Sequence, residues 1–195
     1  MKDWIFWKQR CWGIEGQSEE LEMASESTLL GAAGEQYVMS ALLRRGLIAA
    51  LAPQGVPNAD ILVTDVQGNR TCSIQVKTRR EIGSDGGWHM KPKHAEISSD
   101  NLFYCFVDFG KAIDSSPRMF VLPSKVVAEA IGSSHTSWLS TPGKRGQQRN
   151  DSNVRRLLPD YRNSYLGKVN PYLFGWMDKY RDAWQLLGLS PSETQ

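Results

Sequence analysis

The sequence is short of the residues that staple, anchor or repeat a chain. Its three cysteines, Cys11, Cys72 and Cys105, are odd in number and far apart. That spacing excludes a disulfide framework and a zinc site of close Cys and His pairs, and leaves reduced thiols in or near a core. No apolar run approaches the roughly 18 residues that a membrane span requires. The start, MKDWIFWKQRCWGIEG, is basic and aromatic. It has no apolar stretch of signal-peptide length and no small-residue cleavage site. A cytoplasmic protein with no membrane partner is therefore expected. Internal repeats and low-complexity tracts are also missing, which sets aside solenoids and arrays. Excess charge of one sign is small, at a formal +2, too little by itself to name a partner.

What is present suits one soluble domain of 195 residues, 41% hydrophobic and 23% charged. The distribution of charge says more than its sum. Residues 141–182 carry nine lysines and arginines against four aspartates. A locally basic C-terminal third fits a polyanionic partner, although a solvated face would have the same composition. Residues 1–26 differ from the rest: three tryptophans precede the acidic EGQSEELE, with no clean period. They are expected to form an accessory or poorly ordered extension. The core is expected over 27–132. A loop-rich basic extension is expected over 133–195, ending in an amphipathic helix packed on the core.

Along the core, STLLGAAGEQYVMSALLRRG has a helical stripe of Leu30, Ala33, Tyr37, Val38, Ala41 and Leu42. Ser27 or Thr28 can cap it and Gly46 can end it. Gly31 and Gly34 allow a neighbouring backbone to come close. Leu47 to Leu51 reads as a strand, DILVTDV as a second, QGN as a turn and RTCSIQVKT as a third. A local strand is expected around Trp88 to Met90. NLFYCFVDF reads as a strand buried on both faces and RMFVLP as another. PSKVVAEAIG reads as a helix that Ser124 can cap. From HTSWL onward the chain reads as a long loop, then as a final helix from about Gly175 to Leu187 carrying Trp176, Tyr180, Trp184 and Leu187.

The third strand contains the odd feature. Alternation puts Cys72, Ile74, Val76 and Thr78 on one face and Ser73, Gln75 and Lys77 on the other. Glutamine and lysine are poor core material. A hairpin turning at Gly68 brings Asp60 within reach of Gln75. An acid, an amide oxygen and the Val76 carbonyl suit a hard cation such as Mg²⁺, which takes oxygen ligands and keeps waters for phosphates. Lys77 beside them could orient a water or offset charge on a phosphate. Singly, each residue has an ordinary alternative. Glu35 could face solvent, Asp60 could be a turn residue after Pro57-Asn58, and Gln75 and Lys77 could line the wet face of a sheet.

The order of these residues resembles the PD-(D/E)XK nuclease superfamily. The matching stretches are Glu35 in GAAGEQYV, Asp60 in NADILV and Gln75-Val76-Lys77 in IQVKT. Gly-x-x-Gly-Glu followed by Asp and Gln-Val-Lys is especially similar to Holliday-junction resolvases and nuclease-fold homing endonucleases. Two departures stand out: Pro57 lies three residues before Asp60, and Gln75 stands where an acid is usual. The resemblance implies an α/β, restriction-endonuclease-like core with a mixed central sheet flanked by helices, in the order αβββαβ. It implies a Mg²⁺-dependent endonuclease acting on DNA, with Mn²⁺ able to substitute, or a binding-only module of the same fold. Asp60 would be the main metal ligand, with Gln75 and the Val76 carbonyl beside it and Glu35 acting directly or through a water. Lys77 would assist the attacking water.

Around that site, Arg79, Arg80, Lys91 and Lys93 are candidates for neighbouring phosphates. Lys144, Arg145 and Arg149, in TPGKRGQQRN, could clamp a nucleic-acid backbone. A homodimer would suit paired strand cuts. His89 and His135 show no positioned partner, and His135 reads as packing or capping near Trp138. Trp138, Trp176 and Trp184 read as core or interface anchors.

Overall fold

A computed structural model describes residues 24–81, 86–163 and 170–190. The extension over residues 1–23, with Cys11, lies outside the described residues. So do Lys168 and residues 191–195.

Helix α1 spans Glu26–Leu43, and strands β1 (Ile48–Leu51), β2 (Ile61–Thr64) and β3 (Thr71–Arg79) follow it. A short strand β4 (Trp88–Met90) and a 3₁₀ turn (Pro92–Ala95) lead to β5 (Leu102–Asp108) and β6 (Arg118–Pro123). Helix α2 (Ser124–Ser140) and a short β7 (Arg155–Leu157) complete the regular elements. Five strands form one sheet in the order β1-β2-β3-β5-β6, and β4 pairs with β7 in a separate ribbon. The β3–β5 pair is parallel and the other pairs are antiparallel, so the main sheet is mixed. Among the described residues, no α-helix links β3 to β5. The crossover uses β4 and the 3₁₀ turn, which Pro92 opens at a position where its missing N–H costs nothing.

Strand β5 shows why the core has two halves. All seven of its residues are buried. Phe103, Cys105 and Val107 join a cluster with Val38 and Leu42 of α1, together with Ile61, Cys72, Ile74 and Val76. Leu102, Tyr104 and Phe106 join a second cluster with Val127, Ala130 and Ile131 of α2. One strand therefore feeds both faces, as an apolar run without alternation requires. Cys72 and Cys105 are buried free thiols. No helix among the described residues is long and apolar enough to cross a membrane.

Several expectations are corrected. Ser25, not Ser27 or Thr28, caps α1, accepting the Thr28 N–H at 3.2 Å. The buried stripe of α1 is Gly34, Val38 and Leu42, while Ala33 and Tyr37 are exposed. The stripe is narrow because Gly34 presses directly on β3, whereas Gly31 meets nothing within 4 Å. Ser124 does not cap α2. It is buried, donates to the Ser99 carbonyl at 2.8 Å and accepts the Ser99 N–H at 2.9 Å.

Helix α2 also runs through HTSWL to Ser140, across the expected boundary at 132/133. His135 and Trp138, three residues apart on one helix face, stack at 5.5 Å. Pro142 then ends the run. The expected final helix is instead two 3₁₀ turns, Asp178–Tyr180 and Trp184–Leu187. Asp182 between them has φ 48°, and its N–H donates to the Met119 carbonyl at 3.0 Å. The backbone bonds to β6 there instead of continuing a helix.

Candidate active site

The β2–β3 hairpin aligns Ile61 with Ile74, which sets Asp60 opposite Gln75. Its turn closes with the Gly68 N–H on the Asp65 carbonyl at 3.1 Å, and Gly68 supplies the positive φ of 71°. The Asp60 N–H donates to the Ile74 carbonyl at 2.8 Å. The named strand β2 begins at Ile61, while β3 runs on to Arg79. Beyond that point the inner edge of β3 would have nothing to pair with. The Asp60 carboxylate takes over: its Oδ2 accepts the Val76 N–H at 2.7 Å and a hydrogen bond from Gln75 Nε2. Because the N–H and C=O of one strand residue leave by the same edge, the Val76 carbonyl points to this side too.

Gln75 is 8% exposed and lies beside Tyr104 on the α2 face, with Lys77 beside Phe106. Helix α1 packs on the other face and brings Glu35 toward the same end of β3. Burial holds the Glu35 carboxyl above its ordinary pKa, Asp60 adds to that rise and Lys77 opposes it. Burial lowers the Lys77 pKa, and Lys93 and Lys91 lower it further, while Asp60 and Glu35 oppose them. Glu35, Asp60 and Lys77 therefore share one electrostatic field, with Lys91 and Lys93 at its margin.

His94 was not singled out by the sequence. It is 2% exposed, and its Nδ1 is 2.7 Å from the Tyr104 hydroxyl. Burial brings its pKa down to about 4, with Lys77, Lys93 and Lys91 contributing. A neutral imidazole thus supports the turn that carries the lysines. The available signal was KPKH, a histidine directly after two lysines.

Arg79 bonds to the buried Asp108 carboxylate at 2.7 Å, donates to the Gly86 carbonyl and lies 4.1 Å from the centre of the Trp88 ring. Asp108, at the end of β5, is buried; against the effect of burial, the Gly110 N–H, Arg79 and Arg118 together hold its pKa below the ordinary value. Arg80 donates to the Lys111 carbonyl at 2.9 Å. Lys144 and Arg145 are exposed on the loop after α2, and Arg149 lies 4.8 Å over the Trp138 ring. Arg149 lines a separate cavity between α2 and the β4–β7 ribbon.

Among the described residues, no group of three or more His, Cys, Asp or Glu side chains could hold a metal ion. Two carboxylates and a glutamine stand here instead. Asp60, Glu35, the Gln75 amide oxygen and the Val76 carbonyl are all hard oxygen donors, so the donor set fits Mg²⁺ or Mn²⁺. The mutual effect of Glu35 and Asp60 fits as well, since a cation between two carboxylates relieves their repulsion.

No protein-family model matches the chain, and no curated protein matches it. Solved structures similar in fold include the following two. A bacterial homing endonuclease, I-Ssp6803I, aligns over 85% of this chain and 94% of its own, with TM-score 0.47 and 16% identity. The Holliday junction resolvase Hjc of the archaeal hyperthermophile Archaeoglobus fulgidus aligns over 65% and 82%, with TM-score 0.38 and 12% identity. These likenesses concern the chain path alone; the chain itself is α/β, with α1 and α2 flanking a mixed five-stranded sheet.

Proposed function

We propose that the protein is an endonuclease that hydrolyses phosphodiester bonds in DNA with the help of Mg²⁺, or Mn²⁺ in its place. The observation that carries this is the Asp60 carboxylate fixed by the Val76 N–H and Gln75, beside Glu35 and Lys77. Asp60 and Glu35 would hold the cation, with the Val76 carbonyl and Gln75 completing the oxygen set. When bound, the cation supplies charge that makes a water more acidic and offsets charge building on the phosphate. Gln75 now donates to Asp60 through Nε2, and turning its amide over offers Oε1 instead. Glu35, with its raised pKa, is suited to hold a water and exchange a proton with it. Lys77 is partly desolvated, so its ammonium acts strongly on a phosphate oxygen or an attacking water. Lys91 and Lys93 extend the positive margin toward neighbouring phosphates.

One observation favours a second reading, a binding module of the same fold without catalysis. Gln75 already satisfies Asp60 without a cation and brings no negative charge of its own. Incubation of purified protein with linear, branched and single-stranded DNA in Mg²⁺ or Mn²⁺ separates the two. Cutting is expected from the wild type and a loss of about 10²-fold or more from Asp60→Ala and Lys77→Ala. Wild-type rates in either variant would sink the site. Salt-sensitive binding without cutting would select the binding module.

A further inference from the structure

The nuclease reading leaves a second feature unused. A cavity of about 600 Å³ lies between α2 and the β4–β7 ribbon. Helix α2 presents Ile131, Ser134, His135 and Trp138 to it, the i, i+3, i+4, i+7 set of one face. The ribbon and its flanks present His89, Arg155, Arg156 and Leu158, and the preceding loop presents Arg149. Three arginines therefore line the cavity. The aspartate among the lining residues, Asp160, bonds to Arg162 at 2.5 Å.

Two of the arginines are held in place. The Arg149 guanidinium lies 4.8 Å over the Trp138 ring, a stacking that fixes its plane. Arg155 is tied to the Ser152 carbonyl at 2.6 Å and to Asp151 at 3.3 Å. Asp151 in turn bonds to His135 at 2.7 Å. Arg156 is exposed and stands directly across the ribbon from His89. On β4, Trp88 and Met90 point inward, so His89 and Lys91 share the outer face. Lys91 also acts on Lys77. Lys91 thus stands between the candidate active site and the His89–Arg156 pair that borders the cavity.

A volume of this size is in the range of small-ligand pockets, about 300–1,000 Å³. It is far too small for a duplex, whose major groove alone is about 12 Å wide. Fixed cations, a guanidinium plane and apolar wall from Ile131 and Leu158 are the elements that receive an unstacked nucleotide. Resting on the reading of the protein as one that acts on nucleic acid, we infer that this cavity takes an unpaired nucleotide. DNA with a single-stranded segment is then preferred to an unbroken duplex.

The test reads binding in EDTA, where cutting is suppressed, using the full chain. Its probes are a labelled single strand of ~12 nucleotides and a closed duplex of the same sequence. The single strand should bind more tightly. Arg156→Glu should weaken its binding by about tenfold or more and leave the smaller duplex affinity nearly unchanged. Ser134→Trp, which fills the cavity from α2 without a change of charge, should do the same, with thermal melting to confirm folded protein. Arg44→Glu, at the end of α1, removes the same charge and should leave the preference intact. Equal binding of both probes, wild-type affinity in Arg156→Glu and Ser134→Trp, or an equal loss in Arg44→Glu would overturn the inference. Cutting in Mg²⁺ without any of these effects overturns the cavity alone. These effects in a protein that cuts nothing support the cavity and count against the nuclease.

Discussion

His94 shows how a single side chain ties the site to stability. It is buried against Tyr104 beneath three lysines, and its pKa falls from 6.5 to about 4. The folded protein thus resists a proton that the unfolded chain accepts from about pH 6.5 downward. Between these limits the unfolded state binds more protons, so stability is fully present above pH 6.5 and falls as the pH drops toward 4. The His94 share of that loss approaches about 3 kcal/mol. In His94→Gln, which cannot titrate, urea midpoints should fall less between pH 7 and pH 4.5 than in the wild type. Parallel declines in the two proteins would remove His94 from this role. Lys77 responds to the same surroundings: burial and its lysine neighbours draw its pKa down, and Asp60 holds it up.

At the scale of elements, the contact between α1 and β3 fixes where Glu35 stands. A Cβ added at Gly34 would lie 1.9 Å from Thr78 Oγ1, so only glycine lets the helix lie this close. Gly34→Ala should cost about 1–3 kcal/mol of stability through overpacking. It should lower cleavage further by lifting Glu35 away from Asp60. Thr78→Ala in the same chain should return part of the stability, measured by urea unfolding, and full independence of the two substitutions would contradict the contact. Much at this scale was legible in the sequence. Alternation in RTCSIQVKT separated the packing face from Gln75 and Lys77, and the distance from Asp60 to Gln75 fitted a hairpin about Gly68. Less legible were features that depend on tertiary partners. Arg79 looked free because Asp108, 29 residues on, could not be paired with it in advance. HTSWL looked like a loop from its small polar residues, although His135 and Trp138 support one another only once they are helical. Tryptophan and leucine spacing near the C-terminus suggested a helix because the bonds to β6 that displace it are long-range.

The molecule as a whole depends on that C-terminal segment. Strand β6 ends the sheet, and an open edge invites pairing with other chains. Here Arg181 forms a β-bridge to Phe120, and the Asp182 N–H bonds to the Met119 carbonyl. Trp184 and Leu187 then enter the α1-side core, where Arg45 lies 4.9 Å over the Trp184 ring and Cys72 Sγ donates to the Leu187 carbonyl at 3.5 Å. Met177 joins the opposite cluster. One segment thus covers the sheet edge and adds side chains to both halves of the core. The other edge, β1, has only four residues and offers little length for pairing. Trp184→Ala should therefore lower unfolding free energy by about 3–5 kcal/mol, as large as a core truncation anywhere in the sheet. A chain ended at Phe174 should do worse than lose stability, because β6 is then uncovered along its outer edge. It is expected to aggregate on mild warming, with light scattering rising before the helical signal is lost. A shortened chain that stays monomeric and unfolds in the wild-type range would show that the sheet protects its own edge and that these residues only decorate it.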